Sequence, residues 1–116
     1  MDLDAAAAAI VAALQTAGIR ATVDERELNT PAVFVAPPAL TYRFGKGYWD
    51  AAWTLSAVVT DNGRRASLAA LGDLVAAVQD ALGGRVTNGR PIDLIVPGGA
   101  APLPAYELTF TERISP

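Results

Sequence analysis

An α+β fold, with one mostly antiparallel sheet of four or five strands and two helices packed on one face, follows from three features of the sequence. Two segments, 2–17 and 65–82, place apolar residues at helical spacing. Short β-prone runs lie between and after them, many alternating apolar with polar residues and bounded by Gly, Pro or Asn. The resulting order is α-β-β-β-α-β-β, and a single sheet covered by both helices buries every apolar stripe at once. At 116 residues the chain is one domain.

The first helix has Asp2 or Asp4 to cap its N-terminus and a run of alanines, the best helix former. Its stripe is Leu3, Ala7, Ile10, Leu14 and Ala17 with Val11 beside them, and Gly18 is placed to stop it. In 19–24, Ile19, Ala21 and Val23 alternate with Arg20, Thr22 and Asp24, as in a half-buried strand. A charged run and Asn29-Thr30-Pro31 form a loop before the strand at 32–36, which Pro37-Pro38 ends. A further strand segment at 40–44 precedes the Gly45-Lys46-Gly47 turn. The longest strand candidate runs from Trp49 or Ala51 to Thr60, with Trp53, Leu55, Ala57 and Val59 on one side.

The second helix carries Leu68, Leu71, Val75, Val78 and Leu82 on its stripe, widened by Leu74. Gly72 in its middle costs about 1 kcal/mol relative to Ala, which a close approach by the alanine-rich first helix would offset. Segments 85–87 and 92–96 flank Asn88-Gly89, a hairpin-turn dipeptide. A stiff loop over 97–104 leads to the last strand, where Tyr106, Leu108, Phe110 and Ile114 alternate with polar residues and only Glu112 breaks the pattern.

Composition narrows the function. The net charge is −3, with 9 Lys+Arg against 12 Asp+Glu, and this argues against a domain held to nucleic acid by clustered phosphate contacts. The chain has no cysteine and no histidine, which removes the thiolate nucleophile, the commonest metal ligand and the commonest general base. Once its 24 alanines are set aside, the 52% apolar content falls to about a third of the chain. The longest apolar stretch at the N-terminus spans ten residues behind Asp2 and Asp4, against about 20 for a membrane span and a positive flank for a secretion signal. The expectation is a protein that stays in the cytoplasm unless carried elsewhere in an assembly, with no cofactor, no bound metal and no enzymatic activity.

Gly45-Lys46-Gly47 lacks the spacing of a phosphate loop and opens no helix, so Lys46 reads as a solvated turn tip. Asp24, Glu25 and Glu27 lack a calcium-loop pattern and hold Arg26 among them, so they read as a solvated loop first, a contact to a basic partner second and a cation site last. Five of the eight aromatic residues, Tyr42, Phe44, Tyr48, Trp49 and Trp53, fall within twelve positions. The plainer reading is that alternate members, Trp53 especially, fill the sheet core; the functional one is that Tyr48 and Trp49, beside the glycine turn, are partly exposed anchors of a protein interface. Arg43 and Lys46 supply too little charge for single-stranded nucleic acid to stack there. Arg64 and Arg65 open the second helix, where the helix dipole disfavours cations; they read first as a solvated pair, and second as partners of a carboxylate from another subunit.

Taken in order, these segments resemble the tail terminator (tail-completion) proteins of long-tailed bacteriophages. The resemblance covers nearly the whole chain. It runs from a short helix closing at Ala17-Gly18, through Ile19-Arg20-Ala21-Thr22-Val23-Asp24 and Asn29-Thr30-Pro31-Ala32-Val33, into Phe34-Val35-Ala36-Pro37. A tryptophan-bearing strand closing at Val59-Thr60, a helix of the Leu68/Leu71/Leu74/Val75/Val78 type and Tyr106-Glu107-Leu108-Thr109-Phe110 complete it. The resemblance implies a structural virion protein that caps the tail tube as a hexameric ring and docks the head-side connector, with DNA only as passing cargo and no membrane. Its place would be the tail-head joint of the virion, and the host cytoplasm during assembly. Such a ring needs heterologous interfaces. The candidates are Arg43, Lys46, Tyr48 and Trp49 in the 38–49 segment, Arg64 and Arg65, and Pro97 and Pro102 in the stiff loop. A neck or stopper protein of the same joint, or a small regulatory ligand-binding α+β domain, remain the alternatives.

Overall fold

The computed structural model describes residues 1–95, Pro97 and residues 101–114, so part of the expected 97–104 loop, with Val96, lies outside the described residues. Helix α1 spans Leu3–Thr16 and is capped by Asp2, whose carboxylate accepts the Ala5 N–H at 2.9 Å. Its stripe buries Ile10 and Leu14, while Ala17, the residue after the last turn, stays exposed. Helix α2 spans Arg64–Ala81 and buries Ser67, Leu71 and Val78, with Leu82 buried just beyond its end. Its first turn has no capping side chain, because Gly63 precedes it.

Six strands form the sheet: β1 (Ala21–Thr22), β2 (Ala32–Val35), β3 (Ala39–Arg43), β4 (Tyr48–Val58), β5 (Asn88–Leu94) and β6 (Leu103–Ile114). Their order is β1-β2-β4-β6-β5, with β3 beside the other half of β4. Every pairing is antiparallel except β1 with β2. The α+β class with helices on a mostly antiparallel sheet stands. The sixth strand arises at Pro37-Pro38: the Ala36 N–H still bonds the Thr54 carbonyl at 3.0 Å, but the two prolines have no N–H to offer, and pairing resumes at Ala39.

Within each strand the core-facing positions alternate with outward ones. Val33 and Val35, Ala51, Trp53, Leu55 and Ala57, and Leu108 and Phe110 meet Ile10 and Leu14 of α1 and Val78 and Leu82 beside them. Alternation of this kind puts both helices on the same face of the sheet. Glu112 is the break in the β6 pattern, and the structure supplies its reason. One carboxylate oxygen accepts the buried Trp53 indole N–H at 2.9 Å, and the other lies 3.5 Å from Arg85.

Four expectations are corrected. Val23 does not share the buried side of Ile19 and Ala21; it is 53% exposed, because the Thr22 hydroxyl bonds the Asp24 backbone and bends the chain into a 3-10 turn at Glu25–Glu27. Asn88-Gly89 is not a hairpin turn but the start of β5, and residues 85–87 form no strand. Gln79 holds that connection by bonding both the N–H and the carbonyl of Val86. Gly89 allows a close approach: a Cβ there would lie 3.0 Å from Leu108 Cδ2, so the leucine would have to shift. Leu103 and Pro104, assigned to the stiff loop, begin β6. Finally, Leu68 is 54% exposed, and Gly72 packs against nothing, since an added Cβ meets no atom within 4 Å. The helices touch elsewhere, and this part of α2 borders an open groove.

Candidate functional site

The first candidate surface is the β3–β4 hairpin. Register pairs Tyr42 with Trp49 and Arg43 with Tyr48, leaving 44–47 as the tip. Gly45 and Gly47 take φ of +79° and +76°, a conformation that lets the chain reverse within four residues. All five residues of β3 are exposed, so the hairpin runs past the helical layer of a molecule measuring 50 × 29 × 24 Å. Four of the residues singled out from the sequence meet here. The Arg43 guanidinium is hydrogen-bonded and ion-paired to Asp50 across the hairpin. Lys46 sits exposed in the turn and forms no ion pair among the described residues. Trp49 is half-buried against Tyr42, with ring centroids 5.0 Å apart at 59°, and Tyr48 lies under the Arg113 guanidinium at 4.0 Å. These contacts stiffen the arm from both faces.

Phe44, at the start of the turn, is 93% exposed. The sequence marked it only as one member of an aromatic cluster. No pattern of alternation gives its exposure, which depends on how far the hairpin outruns the helices.

The second surface is a groove between α2 and the β5–β6 pair. Leu68, Gly72 and Val75 form one wall, and Tyr106 and Leu108 the floor, around a volume of about 560 Å³. It continues past Leu68 and Leu71 into a depression of about 510 Å³, lined in part by Asp61, Arg64, Asp93 and Pro102. Arg64 and Pro102 are thus brought together, whereas Arg65 and Pro97 are exposed and line neither depression. Neither Arg64 nor Arg65 forms an ion pair among the described residues.

The acidic run is organised locally. The Asp24 carboxylate accepts both the side chain and the backbone N–H of Arg26, which holds its pKa below the usual carboxylate range. No group of three potential metal ligands comes together among the described residues. No described helix is long and apolar enough to cross a membrane. What the two main surfaces offer is contact: aromatic and aliphatic area with charge at its margins. No protein-family model matches the chain, and no curated protein matches it.

Proposed function

We propose that the chain is a structural part of a bacteriophage virion, a tail terminator that caps the tail tube as a six-membered ring and presents a docking surface to the head-side connector. One observation carries the reading: a stiffened aromatic hairpin that stands off the body. Leu40, Tyr42 and Trp49 share one side of it by register, and Phe44 crowns it. Surface of this composition is what protein interfaces enrich. The order of segments that resembles tail terminators supports the same reading. So does the net charge of −3, since an acidic conduit repels phosphate and lets DNA pass.

Light scattering over a concentration series, with negative-stain microscopy, tests this. Rings of six with a central hole are expected, free in solution or on the ends of added tail tubes. A chain that stays monomeric at every concentration and decorates no tube end sinks the reading; decoration of the connector alone makes it a neck or stopper protein.

The groove favours a second reading, a small regulatory domain that binds a metabolite. Its volume lies in the range of small-molecule sites, about 300–1,000 Å³. That reading predicts a melting temperature that rises with one member of a metabolite panel while the chain remains a monomer or dimer.

A further inference from the structure

We infer that the hairpin tip of one copy seats in the groove between α2 and the β5–β6 pair of the next copy, with Phe44 in the notch that Gly72 leaves. The inference rests on the ring reading above and adds the contact that builds the ring.

Three observations point to a second copy as the occupant. The first is shape and chemistry on both sides. Phe44 has its ring in solvent, and Leu68, Val75, Tyr106 and Leu108 surround an apolar groove open along one side. Gly72 sits in the middle of an 18-residue helix, where glycine lowers helix stability. No atom lies within 4 Å of where its Cβ would stand, so nothing inside the chain requires a glycine there. A ring approaching from outside does.

The second observation is charge. Lys46, two residues from Phe44, forms no ion pair among the described residues, and the groove runs on into a depression lined by Asp61, Arg64 and Asp93, two carboxylates against one guanidinium. A tip that seats its phenylalanine beside Gly72 has acidic groups at one end of the groove for its lysine. The third is topology. The hairpin hangs on the β2 side of β4, and the groove lies beyond β6, toward the opposite edge of the sheet. Donor and acceptor are different surfaces, so the contact is head-to-tail, the type that closes into a ring when the rotation allows.

The chain has no cysteine, which makes the test direct. Lys46→Cys and Ala76→Cys, which leave Phe44 and Gly72 in place, are introduced together at the exposed tip and at an exposed groove position one turn from Gly72, and the protein is oxidised and run on a non-reducing gel. The expected result is a ladder of linked species beyond the dimer and up to six, absent from each single-cysteine variant. Gly72→Leu, which fills the notch, is expected to keep the helical circular dichroism while weakening association about tenfold or more. A ladder that stops at two overturns the inference, as does Gly72→Leu associating like the unaltered chain. If the unaltered chain sizes as a hexamer and the cysteine pair does not link, the contact lies elsewhere and the ring reading survives. If nothing associates and nothing links, both fall.

Discussion

Glu112 places a carboxylate in an otherwise apolar column of β6, where it serves the indole of a tryptophan that is 1% exposed. Removing it leaves a buried N–H without a partner, a loss of about 1–3 kcal/mol. Urea denaturation of Glu112→Ala should show a lowered midpoint with an unchanged slope, and a double-mutant cycle with Trp53→Phe should recover part of the loss. Gly72 works the other way. With open space around its Cα, Gly72→Ala should stabilise the monomer by about 0.5–1 kcal/mol, read as a higher midpoint in the same experiment. Asp24 gives a pH signature without a large energy, because its half-exposed carboxylate and the exposed Arg26 are screened by water. Its folded pKa is depressed, so its contribution is present above the unfolded carboxylate pKa and is lost as pH falls through the lower folded value. NMR titration should find its carboxyl titrating below the ordinary range, and Arg26→Ala should bring it back up.

Helices α1 and α2 were legible at the element level because a stripe at helical spacing repeats over four turns or more, and Ile10, Leu14, Leu71 and Val78 lie where it puts them. Strand β5 was not. Asn88-Gly89 has the chemistry of a tight turn, yet a glycine also serves where a neighbour comes close, and only the packed Leu108 decides between the two. Gly89→Ala therefore presses a methyl group against a core side chain that is 1% exposed, and about 1 kcal/mol of destabilisation is expected in thermal melts. The β3–β4 hairpin was half legible: its aromatic density and glycine turn stand in the sequence, but the exposure of Phe44 is a tertiary property. Trp49→Ala removes the stack on Tyr42, worth about 1 kcal/mol. The core should survive intact, as judged by cooperative unfolding, while self-association weakens.

For the molecule as a whole, the groove was hidden from the sequence because it arises where α2 leaves the β5–β6 end of the sheet uncovered. Leu68, fitted to the core stripe by its spacing, becomes part of a wall instead. The same arrangement sets a kinetic problem. Strand β4 carries β2 and β3 along one edge, but its other edge pairs with β6 along nearly its full length, roughly fifty to sixty residues later. Pairings this remote place refolding in milliseconds to seconds rather than microseconds, which stopped-flow tryptophan fluorescence would record. On the ribosome, synthesis of the intervening stretch occupies on the order of 3–10 s, during which the longest apolar strand of the nascent chain waits with a bare backbone edge. Where many copies are made at once, neighbouring polysomes would hold such edges side by side, and soluble yield should depend on holdase chaperones that shield them until β6 emerges.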